Sequence, residues 1–419
     1  MRNEGVVLTA LLLGAAGCVE GWIPSSRPAA IFSHPTIKSS ADQATNEGTA
    51  ARDETRTSSR SSRRGFFNSI TVSSAAAVAA TITTPFPSDS AVAAPLPTGL
   101  NLVQPNSLTG KMIVITGGTT GLGLESAKAL AKGGATVVIT ARTDAKGKAA
   151  VETVLTYLKE RGIRNVNVSY VQLDLDDLDN VKSFPQRFMA KYGSDQKIDV
   201  LMNNAGVMAI PDRQLTKDGY ERTFQSNHLG HFALTAKVMP LLREQGARVI
   251  NVSSLAYQFA GKGLDLSNLN REKEYSPWGS YGASKLENIL FTQELQRRAD
   301  ANGLNLIATS LHPGAVNTDL ARNMMGGEEE WYKKKETGPT NLLENVLQST
   351  INKALLTPER GAATQVYLAI TSDEEKGRFY SDLKPQKLPA FATDESAAKA
   401  LWTQSEILSG VQFSLDKKQ

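Results

Sequence analysis

Met112-Ile113-Val114-Ile115-Thr116-Gly117-Gly118-Thr119-Thr120-Gly121-Leu122-Gly123 is the stretch whose reading settles the architecture. Its first four residues are an unbroken apolar run, the composition of a strand buried on both faces of a parallel sheet. A glycine-rich turn follows, and Leu124 to Lys132 then reads as a helix. Glycines at such a turn let the backbone approach a pyrophosphate, whose charge the helix N-terminus stabilises. The spacing T-G-x-x-x-G-x-G departs from the commoner dinucleotide fingerprint G-x-G-x-x-G, and a tight connection alone also uses glycines.

Thr136 to Thr140 is a second apolar run, followed by Ala141-Arg142. An acid is expected at the end of this strand where NAD is bound, to hold the ribose hydroxyls. Arg142 stands there instead, suited to a ribose 2′-phosphate, so the reading is NADP(H). A polar-faced helix over Asp144 to Arg161 leads to a third strand, Val166 to Leu173, ending in Asp174-Leu175. Asp176 to Asp179 open the next helix, their charges complementing its N-terminus. Strand four ends in Asn203-Asn204-Ala205-Gly206, and strand five, Arg248 to Val252, ends in Ser253-Ser254. Strand six, Leu306 to Leu311, runs into His312-Pro313-Gly314-Ala315-Val316-Asn317-Thr318. Strands alternating with helices in this way imply a doubly wound, Rossmann-type α/β fold with a parallel sheet, in one domain.

Ser280-Tyr281-Gly282-Ala283-Ser284-Lys285 carries the chemistry. On a helix, Tyr281 and Lys285 share one face. A phenol titrates near pKa ~10, and an ammonium beside it favours the phenolate, lowering that value toward the range of an acid/base catalyst. Alone, the pair is also an ordinary solvated helix face.

Together these motifs resemble the short-chain dehydrogenase/reductase family, over roughly Lys111 to Gly410. The resemblance implies that Thr116, Gly117, Thr119, Thr120, Gly121, Leu122 and Gly123 form the cofactor turn, with Asp174 and Leu175 near the adenine. Asn203, Asn204, Ala205 and Gly206 would stabilise the sheet and line the adenosine site. In Gln225-Ser226-Asn227-His228-Leu229-Gly230-His231-Phe232, Asn227 would hold a water that links the active lysine to solvent. Ser254 would hydrogen-bond the substrate carbonyl, Tyr281 act as acid/base, and Lys285 lower its pKa and bind the nicotinamide ribose. Pro313 and Gly314 would turn the chain under the nicotinamide, with Val316 beyond them and Thr318 holding the carboxamide. The 27 residues from Ser254 to Tyr281 exceed the compact spacing because Gly261 to Trp278 is a polar loop.

Asn227 to Phe232, Ser284 to Thr292 and Leu311 to Gly314 are most similar to retinol-dehydrogenase-like members and their plant relatives. Gly361-Ala362-Ala363-Thr364 and Gly377-Arg378-Phe379-Tyr380 look like the same branch. Protochlorophyllide reductases are neighbours, but they match less at the tyrosine motif and carry a cysteine near the active site. A nucleotide-sensing, plastid-import-associated scaffold is a further alternative, against which the complete Asn227, Ser254, Tyr281, Lys285 set argues. The segment 322–358 reads as a substrate lid with an apolar face, implying a bulky hydrophobic alcohol or carbonyl. The same face suits a membrane surface or a homo-oligomer contact.

The leader reads as an address. Val6 to Val19 is too short to span a bilayer and reads as a signal-peptide core, giving a first segment of 1–21. Residues 22–93 are transit-like and contain Ser62-Arg63-Arg64-Gly65-Phe66-Phe67-Asn68, then Ala91-Val92-Ala93, a twin-arginine pattern with an A-x-A site. A signal, a transit-like stretch and a twin-arginine signal in series resemble the layered targeting of algae with secondary plastids. The expectation is a plastid protein, in the thylakoid lumen rather than the stroma, with a catalytic domain over 94–419. Cys18, the one cysteine, falls in the leader, which leaves the remainder without thiol chemistry. Four histidines without ligand spacing imply no metal; His228 and His231 read as packing or helix-surface residues. A net charge of +4 with no basic stripe interleaved with aromatics argues against nucleic acid.

Overall fold

Met112–Ile115 forms β1, and all four residues are buried, as an uninterrupted apolar run demands. The computed structural model describes residues 97–316, 320, 355–372 and 375–415. The leader, Thr318 and most of the 322–358 segment lie outside the described residues. Side chains alternate across β1: Met112 and Val114 join one apolar layer, Ile113 and Ile115 the other.

Helix α1 (Gly121–Lys132) follows the glycine turn, opening one turn earlier than the expected Leu124. β2 (Thr136–Ala141), α2 (Asp144–Glu160) and β3 (Asn167–Gln172) come next. The Asp176 to Asp179 cluster opens α3 (Leu178–Lys182), with Asp177 accepting from the amides of Asp179 and Asn180. α4 (Phe184–Tyr192) leads to β4 (Val200–Asn203). A π-turn at Gln225–Leu229 opens into α5 (Gly230–Val238), and β5 is Gln245–Val252. Within the expected polar loop Ser276 caps α6 (Pro277–Ala301), and β6 is Asn305–Leu311.

The sheet runs β3-β2-β1-β4-β5-β6, parallel throughout, so the chain reverses its direction of travel between β1 and β4. Two short strands unseen in the sequence extend it: β7 (Phe379–Ser381), parallel to β6, and β8 (Lys384–Gln386), antiparallel to β7. Between β6 and β7 lies α7 (Ala363–Ile370), and α8 (Glu395–Ser409) closes the fold. Helices cover both faces, α1, α2 and α7 on one and α4, α5, α6 and α8 on the other. Trp402 of α8 is buried among Phe232, Phe291 and Phe413, the ring centroids 5.2, 5.9 and 4.3 Å away. This aromatic wedge fixes the helix that bears Tyr281 from behind. Among the described residues no helix is long and apolar enough to cross a membrane.

Candidate active site

Reversal of strand order at β1 and β4 splays the connecting loops and leaves a crevice beyond their carboxyl ends. A cleft of about 410 Å³ occupies that place. Gly117, Thr119, Thr120, Gly121 and Leu122 line it from the glycine turn, Arg142 from just beyond β2, Asp174 and Leu175 from beyond β3, and Asn204, Ala205 and Gly206 from the exit of β4. Thr116, Gly123 and Asn203 lie behind this lining and shape it.

Gly117 holds φ +65°, and a Cβ there would stand 2.9 Å from Ala205 Cα. A Cβ on Gly123 would drive into the Gly117 carbonyl oxygen and stand 2.6 Å from Asn204 Nδ2. Thr116 Oγ1 accepts from the amides of Asn204 (2.9 Å) and Ala205 (3.0 Å), while Asn204 Nδ2 donates to Thr116 O at 2.8 Å. Asn203 instead donates into the core, to Thr235 Oγ1 and Asn251 Oδ1, so its side chain ties β4 to β5 and does not reach the cleft.

The donor chemistry of the cleft fits a phosphorylated dinucleotide. Thr120, at the N-cap of α1, makes no side-chain capping bond, and Gly121 and Leu122 of the first turn line the cleft, so the partial positive charge of that helix end lies beside it. Arg142 is exposed on the rim, and its guanidinium forms no ion pair among the described residues. Lys146, absent from the sequence reading, lines the cleft from the first turn of α2, four residues beyond Arg142. Asp144, the nearest acid after β2, points to Lys148 at 3.5 Å and is not part of the lining. Asp176 is a second addition: it pairs with Arg222 at 2.9 Å and takes a hydrogen bond from Ser226, which also lines the cleft.

Gly206 leads from this cleft to the reactive groups. A Cβ at Gly206 would stand 3.1 Å from Asn227 Oδ1 and 3.6 Å from Lys285 Nζ. Lys285 and Tyr281 share a face of α6 as the spacing requires, with Nζ 5.4 Å from the phenol ring centroid. Lys285 Nζ donates to Val252 O at 3.1 Å, at the end of β5. Ser254, at the exit of β5, stands close enough to the Tyr281 phenol to favour its ionisation, and its Oγ accepts from the Ala256 amide at 3.1 Å. Asn227 sits in the π-turn, donating to Val207 O and Ser284 Oγ, both at 2.9 Å. Single π-turns are rare and concentrate at functional sites because they displace one carbonyl from the helical ladder.

Burial changes the expected electrostatics. It pushes the Tyr281 phenol up to about 12, with the Ser254 hydroxyl drawing the other way, and presses the Lys285 ammonium down to about 8. The lowering of the phenol that the spacing suggested is thus outweighed by desolvation of both groups. His228 and His231 are wholly buried, so the helix-surface reading is corrected to packing. His231 does more than pack. Its Nδ1 meets Asn227 O and its Nε2 meets Thr116 Oγ1, each at 2.9 Å. Burial holds it neutral, its pKa near 4, so one nitrogen donates to the carbonyl and the other accepts from the hydroxyl. That ring joins the glycine turn to the π-turn. Pro313, Gly314 and Val316 follow β6, where Val316 bridges to Leu356 and the Leu356 amide donates to Ala315 O at 2.7 Å.

Residues 111–329 match the sequence profile of the family described as short chain dehydrogenase. The chain is 35% identical to retinol dehydrogenase 12 of Mus musculus over 309 residues, 73% of this chain and 88% of that protein. It is 34% identical to polyprenol dehydrogenase of Homo sapiens over 308 residues, 72% of this chain and 86% of that one. A crystal structure of an uncharacterised protein from Mycobacterium paratuberculosis is similar, with a TM-score of 0.57 at 34% identity. It covers 76% of this chain and 99% of its own.

Proposed function

The chain belongs to the short-chain dehydrogenase family, an alcohol/carbonyl oxidoreductase, and from that premise we propose that it uses NADP(H) and acts on a bulky apolar alcohol or carbonyl. The observation that carries the reading is that Gly206, which lines a cleft with cationic residues on its rim, abuts Asn227 and Lys285, with the Tyr281 ring 5.4 Å from Lys285 Nζ. NADP(H), when bound, supplies or accepts the hydride. Arg142 and Lys146, at the end of β2 and the start of α2, would hold its 2′-phosphate, and the open N-terminus of α1 its pyrophosphate.

The protein's own groups move the proton. Tyr281, protonated at neutral pH, gives its phenol proton to the carbonyl oxygen, which the Ser254 hydroxyl also hydrogen-bonds. Lys285 stabilises the phenolate left behind, and Asn227 orders the path along which the proton is restored. For the apolar substrate, the support is a run of aromatic rings ending on the reactive one. Phe259 meets Trp278 edge-on at 5.8 Å, and Trp278 meets Tyr281 edge-on at 6.2 Å. Phe259 is 38% exposed, an aromatic surface that water does not favour. The names of two relatives, a retinol and a polyprenol dehydrogenase, agree with this class.

A panel of aldehydes and ketones graded in chain length, with NADPH or NADH consumption followed by absorbance, tests the reading. Turnover with NADPH that rises with apolar chain length is expected; turnover confined to short polar carbonyls, or to NADH, would overturn it. We propose further, on sequence alone, that residues 1–93 are a removable plastid address leading to the thylakoid lumen, with the catalytic domain from residue 94 onward.

A further inference from the structure

Gln365 lies on α7, beyond the residues that match the family profile. It is wholly buried, yet no apolar role explains an amide there. Its Nε2 donates to Ser126 Oγ at 2.6 Å, to Leu122 O at 3.3 Å and to Asn204 Oδ1 at 3.3 Å. Leu122 and Ser126 belong to the first turns of α1; Asn204 belongs to the exit of β4. One amide therefore grips both sides of the glycine turn.

The orientation of that amide follows from its neighbours. Asn204 Nδ2 faces two carbonyl oxygens, Thr116 O at 2.8 Å and Gly117 O at 3.3 Å, which only accept. Asn204 must then present Oδ1 to Gln365, and Gln365 must answer with its own Nε2. Gln365 Oε1 has no partner among the described residues, so the donors alone set its position. Leaving a buried acceptor unpaired is unfavourable, and the arrangement persists because the two N–H groups of Nε2 are shared among three acceptors on the other side, Ser126 Oγ the nearest.

We infer that Gln365 is a positioning residue for the cofactor turn, holding Asn204 and the start of α1 in the separation that admits a dinucleotide pyrophosphate. The inference rests on the proposed NADP(H) reading of the cleft. Gln365 reaches the turn through Asn204, Leu122 and Ser126 and is not part of the cleft lining. Its removal loosens a preformed site, so affinity for the dinucleotide falls while the unliganded fold keeps its packed α7.

The test replaces the amide by an unbranched thioether of similar length, Gln365→Met, which keeps packing and removes donation. NADPH dissociation constants are measured by fluorescence titration, and melting temperatures without ligand, for the wild type and the variant. A rise of about five- to tenfold in the NADPH constant is expected, the scale of one buried hydrogen bond. The melting temperature should move by only a few degrees, and KM for NADPH should rise by the same factor while KM for the carbonyl does not. Unchanged NADPH affinity in a folded Gln365→Met overturns the inference, as does a loss matched by a collapse of the melting temperature. If that variant does not fold, Ser126→Ala, which removes the shortest contact, should weaken NADPH severalfold; no change overturns the inference equally. A wild type that binds neither NADPH nor NADH refutes the cofactor reading itself, and the inference with it.

Discussion

On the proposed NADP(H) reading, Arg142→Ala is expected to weaken NADPH selectively and leave NADH nearly unchanged. A ribose phosphate carries about −1.5 to −2 charges at neutral pH. At ~4 Å a unit pair is worth ~1 kcal/mol in bulk water and ~4 kcal/mol near a protein surface. Arg142 is exposed on the rim, which places it toward the watery end of that range, and Lys146 remains to bear part of the charge. The loss should therefore be about 1–2 kcal/mol, a five- to thirtyfold weakening of NADPH. NADH, lacking the phosphate, should change by less than about twofold. Fluorescence titration of both cofactors against both proteins reads this directly. Repeating it near 1 M salt, where the Debye length is ~3 Å, should shrink the NADPH difference. Equal losses for the two cofactors would refute the assignment of Arg142 to the 2′-phosphate.

Four more expectations stand beside this one, three from the geometry of the site and one from the leader. Gly123→Ala places a methyl against Gly117 O and Asn204 Nδ2, so dinucleotide binding should fall at least tenfold by titration while circular dichroism still reports an α/β fold. Lys285 has its pKa pressed to about 8, so kcat/KM for NADPH, which reports the free protein, should decline above about pH 8 as the ammonium is lost. Because the unfolded chain holds that proton up to about 10.5, the Lys285 contribution to stability should grow from about pH 8 to 10.5, as denaturant titrations at several pH values would show. Changing Arg63 and Arg64 to lysine in a fluorescent fusion should hold the protein in the stroma; an unchanged location would reduce the paired arginines to part of a transit peptide.

Where the fold was legible, burial was written locally. β1 and β4 lie in the middle of the sheet; the apolar run of β1 marked its bounds residue for residue, and that of β4 marked the strand together with its exit turn. β7 and β8 left no trace because each has three residues, and Lys384-Pro385-Gln386 is wholly exposed, without alternation. Tyr281 and Lys285 were legible for a similar reason, since helical spacing alone brings them to one face. Their pKa values were not, because desolvation comes from the tertiary packing around α6. Lys146 was within reach of sequence reasoning, as a second cation one helical turn beyond Arg142. His231 was not: its partner Thr116 lies 115 residues away, and only the closed sheet brings them together. Gln365 is 243 residues from Leu122 and follows a variable segment, so no local pattern marks it.

The most direct measurement of the central claim is NADPH oxidation by Tyr281→Phe, set beside the wild type with the best carbonyl of the panel. Phenylalanine keeps the ring against Trp278 and removes only the hydroxyl that carries the proton. Turnover should fall by about 10²–10⁴-fold, the contribution of a positioned general acid, while NADPH binding stays within about twofold. A variant that still turns over within tenfold of the wild type would contradict the account.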